Sequence, residues 1–121
     1  MISAPFAALL ITAFAPSVDT PTFPADFHGR WDLSAEACNR DESGTALTIN
    51  ARQIIGYEDT STLKSAHVLD GGSLHVFVDN ESADGDREIQ MVIWRSSDGG
   101  EWLNIEGDSR PRAVRYARCG A

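Results

Sequence analysis

The chain has 121 residues, of which 42% are hydrophobic and 23% are charged, a composition typical of one globular domain. Its formal net charge of -8 opposes attraction to nucleic-acid phosphates and to anionic lipid surfaces. The composition therefore favours a neutral or basic partner over nucleic acid, and we expect a monomer.

The first 17 residues have the pattern of an export signal. Phe6 to Phe14 is apolar apart from one threonine, which suits the core of a signal peptide and is too short to span a bilayer. The small residues Ala15 and Ser17 favour cleavage after Ser17. We therefore predict a signal peptide at 1–17, a periplasmic or secreted protein, and no membrane insertion of the mature chain. A buried N-terminal strand or helix is the alternative interpretation.

Residues 18–27 follow as a proline-containing segment. Pro21 and Pro24 lie among threonine, aspartate and phenylalanine residues, a composition typical of extended chain. We expect an extended leader that tethers a domain spanning 28–121.

The two cysteines, Cys38 and Cys119, form an even pair in a chain that we expect to meet an oxidising compartment. A disulfide between them would close a loop of roughly 80 residues, which in the chain-entropy model stabilises the fold by on the order of 4 kcal/mol. We predict this disulfide, with two free buried thiols as the alternative.

The rest of the chain consists of short segments of alternating apolar and polar residues, separated by glycine-rich turns. One helical turn is predicted at Ala35–Cys38, with Ser34 as its N-cap. The predicted strands are Gly29–Leu33, Ala46–Asn50, Gln53–Glu58, Thr62–Asp70, Ser73–Asn80, Arg87–Arg95, Glu101–Glu106 and Arg112–Arg118. Strands in this order hide both sheet edges by closing into a barrel. The predicted fold class is all-β, an eight-stranded antiparallel up-and-down barrel with one disulfide; a two-sheet sandwich is the alternative.

Turn composition predicts how the strands pair. A two-residue loop at Gly71-Gly72 places His67 opposite Val76 on the apolar face and His75 on the other face. We therefore expect His67 to point inward, either as a core residue or as a polar group that binds a ligand. A two-histidine metal site would require a longer turn, so no metal site is predicted.

Further along the chain, a hairpin centred on Asp84-Gly85 pairs Val78 with Met91. A loop at Asp98-Gly99-Gly100 places Ile105 opposite Ile93. Both registers continue the apolar inner face of the predicted barrel.

These registers also place Phe77 opposite Val92 on the outer face, with Trp94 beside them. Together Phe77, Val92 and Trp94, called the outer stripe below, form an apolar and aromatic band where water is expected. Two interpretations remain open: the outer stripe binds a partner, or Phe23 and Phe27 of the leader fold over it.

The two ends of the domain resemble those of lipocalin-like (calycin) barrels. Phe27 to Trp31 reads Phe-His-Gly-Arg-Trp, and the last predicted strand carries Arg115 and Arg118 before the final cysteine. The resemblance implies that Trp31 closes one end of the barrel and that Gly29 allows close strand approach. It also implies that Arg115 or Arg118 packs across the indole of Trp31, and the alternation does not decide between them.

Two groups of small bacterial exported proteins are also similar. One begins with a Phe-x-Gly-x-Trp stretch and ends in Arg-x-Cys or similar, which Phe27 to Cys38 and Arg118-Cys119 resemble. The other is the periplasmic metalloprotease-inhibitor family, whose N-terminal segment enters the protease cleft. That resemblance implies, by position alone, that Val18 to Asp26 would be the inhibitory segment.

No catalytic or cofactor-binding motif stands out in the sequence, so we expect a non-enzymatic binding protein without a cofactor. An envelope protein or a protease is the favoured partner, and a small apolar ligand carried in the barrel interior is the alternative. An enclosed cavity on the order of several hundred Å³ beside His67 would favour the carrier.

Overall fold

The computed structural model describes residues 20–107 and 110–120. Within these residues eight antiparallel strands pair in chain order, and the last pairs with the first to close a barrel. The strands are β1 (Gly29–Asp32), β2 (Leu47–Ile49), β3 (Gln53–Ile55), β4 (Asp59–Val68), β5 (Leu74–Ser82), β6 (Gly85–Ser96), β7 (Trp102–Gly107) and β8 (Arg110–Arg118). The predicted eight-stranded up-and-down barrel is confirmed. The predicted signal peptide at 1–17, Val18 and the turn at Asp108-Ser109 lie outside the described residues.

A short helix, α1 (Ala35–Cys38), follows β1. Ser34 caps it as predicted, because its Oγ accepts a hydrogen bond from the backbone N–H of Ala37 at 3.1 Å. The helix brings Cys38 to the end of β8, where it forms a disulfide with Cys119 across a sequence separation of 81 residues. The predicted disulfide is confirmed.

The pairing predicted for the β6–β7 hairpin is correct. In the β5–β6 hairpin the pairing differs, but each side chain lies on its predicted face. Ile93 pairs with Ile105, as the glycine-rich loop between β6 and β7 predicts. In the β5–β6 hairpin, Val78 pairs with Ile89 instead of Met91. The pairing differs from the prediction by two residues, because the loop is Ala83-Asp84 instead of Asp84-Gly85. An even shift leaves each side chain on its expected face.

The first hairpin differs from the prediction by one residue. Asp70–Gly72 forms a three-residue turn in which Gly71 and Gly72 both adopt positive φ. His67 therefore pairs with His75 instead of Val76, and both histidines lie on the outer face. The prediction that His67 points into the barrel is wrong: its side chain is exposed. A register shift of one residue moves every side chain of the strand to the opposite face of the sheet. A bulge between Leu63 and Ser65 compensates for this shift and returns Leu63 to the core.

In its described part, the leader packs into the barrel core and does not form a free tether. Phe23 and Phe27 are buried in the same core cluster as Trp31, and these three aromatic residues are called the seal below. The N–H of Phe23 donates to the carbonyl of Ala51 at 2.8 Å. Residues 20–27 therefore complete the core at one end of the barrel, and neither phenylalanine is available to cover the outer stripe.

Candidate functional site

The seal is held by two arginines over one indole. The guanidinium of Arg118 lies 4.2 Å from the ring centroid of Trp31, and that of Arg95 lies 4.9 Å from it. Both arginines also donate hydrogen bonds to the carbonyl of Asp26, and the Trp31 indole N–H donates to the carbonyl of Phe27 at 3.0 Å. Burial of the ring, two cations and a satisfied indole N–H together hold this end of the barrel closed.

Of the two candidate arginines, Arg118 is the one that packs on Trp31. Arg115 instead stacks on Trp102 at 4.0 Å and donates to the carboxylate of Asp98 at 2.8 Å. The difference follows from alternation along β8, where the two side chains lie on opposite faces. Arg95 was not predicted as a partner of Trp31. It follows the inward-facing Ile93 by two residues, so alternation along the strand also places Arg95 on the inner face.

Gly29 is required by the same contact. Its φ is +125°, and a Cβ built there would lie 3.0 Å from Nη1 of Arg118. The close contact at Gly29 is with the Arg118 side chain, which reaches the carbonyl of His28 at 2.8 Å, whereas the resemblance implied close approach of two strands.

Asp32 anchors the long connection between β1 and β2. Its carboxylate is buried and accepts hydrogen bonds from the Thr45 hydroxyl at 2.6 Å and from the Leu33 N–H at 2.8 Å. Burial by itself would raise the pKa of Asp32. Hydrogen bonds from Thr45, Ser43 and Leu33, together with the guanidinium of Arg30, outweigh burial and lower that pKa below its usual value.

The opposite end of the barrel is open. Here the β1–β2 connection and the turns after β3 and β5 surround a depression of about 930 Å³, called the mouth below. Leu33 and Tyr57 line it, and they are 46% and 65% exposed. Large apolar side chains left exposed around a concavity are typical of binding surfaces.

A buried polar cluster lies below the mouth. The amide nitrogen of Asn80 donates to Asp59 Oδ2 and to Ser61 Oγ, each at 2.9 Å, and Asn80 and Ser61 are both buried. All three residues also line an inner cavity of about 90 Å³, whose other walls include Ile54 and Met91. That space is well below the 300 Å³ or so of a typical ligand pocket.

The mouth was not predicted from the sequence, because it is formed by turns and by an irregular connection without periodicity. The sequence does indicate the position of one residue at the mouth, Asn80. Val76 and Val78 predict an inward face for β5, and the same alternation continues to Asn80, which places an amide inside the barrel.

The outer stripe lies on the outer face, and Phe77, Val92 and Trp94 are each half-buried. Its pairing differs from the prediction: Phe77 lies opposite Gln90, and Val92 lies opposite His75. The shift of two residues in the β5–β6 hairpin explains this change. Partner binding by the outer stripe stays a prediction.

His67 takes no part in the mouth or in the inner cavity. In the part of the chain that the structure describes, no group of three or more His, Cys, Asp or Glu side chains is arranged to hold a metal ion. Within the same residues, the structure contains no helix with the length and apolar character needed to cross a membrane.

Comparisons with protein-family models, with curated proteins and with solved structures find no match for this chain. The resemblance to lipocalin-like barrels and to the small exported bacterial proteins therefore stays a prediction.

Proposed function

We propose that this chain is an exported, non-enzymatic binding protein that holds a segment of a partner protein in the mouth. One observation carries the proposal: the barrel is sealed at one end by Phe23, Phe27 and Trp31, and it opens at the other onto exposed Leu33 and Tyr57. A barrel that is closed at one end presents a concave surface at its open end, and here exposed apolar side chains and charged ones both line that surface.

The sizes of the two spaces favour a protein segment over a small apolar ligand in the interior. The inner cavity of about 90 Å³ lies beneath a polar cluster and has room for little beyond a few water molecules. The mouth of about 930 Å³ is broad and open to solvent, so it suits a side chain or loop that projects from a larger surface.

Charge indicates what kind of segment fits. The lining of the mouth carries the carboxylates of Glu58, Asp59 and Asp84 and the guanidinium of Arg87. The excess of negative charge, in a chain of net charge -8, favours a segment with basic side chains.

Inhibition of a protease by the leader receives less support. The carbonyl of Pro21 accepts a hydrogen bond from Arg52 at 2.6 Å, and Phe23 is buried in the core. Insertion of this segment into a protease cleft would require the seal to open, with loss of its buried apolar area.

The test is site-specific photocrosslinking in cells that produce the protein. A photoreactive phenylalanine analogue replaces Tyr57 in the mouth or Val68 at the opposite end; these side chains are 65% and 76% exposed, so the two positions are matched. We expect a discrete protein adduct from position 57 that is absent from position 68 and is suppressed by Leu33→Ser.

Three outcomes would contradict the proposal. Equal adducts from positions 57 and 68 would show no preference for the mouth. An adduct that forms only when the analogue replaces Phe77 would assign binding to the outer stripe. A small apolar molecule bound stoichiometrically to the purified protein would favour the carrier.

A further inference from the structure

The corrected register brings two of the three histidines of the chain together. His67 on β4 and His75 on β5 are direct cross-strand partners on the outer face. The Cβ atoms of such partners lie about 4.5–5.5 Å apart, so two imidazoles on them can reach one metal ion. A two-residue loop would have placed the two histidines on opposite faces, and the three-residue turn at Asp70–Gly72 places them on the same face.

The second step concerns the proton on His75. Its Nε2 lies 2.9 Å from Oε1 of Gln90, an amide oxygen that can only accept a hydrogen bond. Nε2 therefore carries the proton in the neutral ring, and the lone pair is on Nδ1. Metal-binding histidines typically donate their other N–H to an oxygen in this way, which fixes the tautomer and the ring orientation.

The surroundings of the pair suit a cation that exchanges with solvent. The ring of His75 contacts that of Phe77 with 4.8 Å between centroids, which restrains the imidazole, while His67 is exposed and free to adjust its rotamer. The net charge of -8 raises the local concentration of divalent cations around the chain.

We propose that His67 and His75 form a two-histidine site for a divalent transition-metal ion, with Cu²⁺ bound more tightly than Zn²⁺. Imidazole nitrogen is a preferred ligand of both ions, and Cu²⁺ stands at the top of the affinity order for such donors. Water fills the remaining coordination positions. The site lies on the outer wall, is separate from the mouth, and does not depend on the function proposed above.

The experiment titrates the folded, disulfide-bonded protein with Cu²⁺ at neutral pH and follows binding by calorimetry and by electron paramagnetic resonance. We expect one ion per chain and superhyperfine coupling to two imidazole nitrogens. His67→Asn and His75→Asn should each weaken binding on the order of 100-fold, because each leaves a single protein ligand where two acted together.

The matched control is His28→Gln, which removes the third histidine and retains a donor towards the carbonyl of Phe23. It should leave Cu²⁺ affinity and the two-nitrogen signal unchanged. The double variant His67→Asn/His75→Asn measures background binding by the backbone and the terminal amine. Wild-type affinity no higher than that of the double variant would overturn the proposal, as would a loss caused by His28→Gln.

Gln90 is a positioning residue for this site. Gln90→Leu removes the oxygen that fixes the His75 tautomer and should weaken Cu²⁺ binding about 10-fold, whereas Gln90→Glu keeps an acceptor and should restore it. Equal loss in both variants would contradict the role of the hydrogen bond. Unchanged thermal unfolding of all these outer-face variants would show that the losses are not caused by unfolding.

Discussion

Replacement of Phe23 by alanine tests whether the leader belongs to the fold. Phe23 is 2% exposed and packs in the core cluster with Phe27 and Trp31. Truncation of a buried phenylalanine to alanine costs about 3–5 kcal/mol, because transfer free energy is lost and a cavity remains. For a domain of this size that corresponds to a thermal midpoint lower by at least about 12 °C.

The assay is thermal and urea unfolding followed by circular dichroism, with the disulfide intact. Thr22→Ala, an exposed change in the same segment, is the matched control and should alter stability by less than about 0.5 kcal/mol. A tether would tolerate both substitutions equally. A loss below about 0.5 kcal/mol for Phe23→Ala would refute the seal.

Three further predictions concern the contacts around Trp31 and the β1–β2 connection. Arg118→Met should cost about 2 kcal/mol in urea unfolding, since it removes a cation over Trp31 and two hydrogen bonds to carbonyls. Arg115→Met should cost under about 1 kcal/mol, because its contacts with Trp102 and Asp98 are exposed. Gly29→Ala should destabilise by more than about 1 kcal/mol in the same assay, because φ is +125° and the new Cβ meets Arg118. The pKa of Asp32 is lower in the folded chain than its unfolded value of about 3.9. The ionised carboxylate therefore stabilises the fold fully above about pH 3.9, and this stabilisation is lost as the pH falls through the folded pKa. Unfolding measured against pH should therefore show wild type losing its advantage over Asp32→Asn on acidification.

A specific result would contradict each of these three predictions. Equal effects of the two arginine variants would deny the assignment of Arg118 to Trp31. A Gly29→Ala variant as stable as wild type would show that the backbone there is not constrained. A constant gap between wild type and Asp32→Asn across the acid range would contradict the lowered pKa.

The barrel topology and the disulfide were predictable because both follow from local features of the sequence. Alternation with period two marks strands, glycine pairs mark turns, and an even cysteine pair marks a bridge. The β6–β7 register was correct because the loop centred on Asp98-Gly99-Gly100 sets it, and that loop places Ile93 opposite Ile105.

The first hairpin was mispredicted because Gly71-Gly72 fits a two-residue and a three-residue turn equally well. One residue of difference decides which face His67 occupies, and the bulge after Leu63 that compensates for it has no local mark. The leader was misread for a different reason: its prolines indicate extended chain, but its described part forms a 3₁₀ helix at Ala25–Phe27 and buries both Phe23 and Phe27.

The mouth was beyond sequence reasoning because it depends on how three irregular connections meet in space. Leu33 and Tyr57 are distant in sequence and belong to no strand, so periodicity does not relate them. The closed topology brings their connections to the same end of the barrel, and only coordinates show this proximity.

Nuclear magnetic resonance with a soluble paramagnetic agent can show whether the barrel is sealed at one end and open at the other. We expect the indole N–H resonance of Trp31 to stay sharp while the amide resonance of Tyr57 at the mouth broadens strongly. Broadening of the Trp31 resonance to the same extent as that of Tyr57 would mean that solvent enters where Phe23 and Phe27 are placed, and the barrel would not be sealed there.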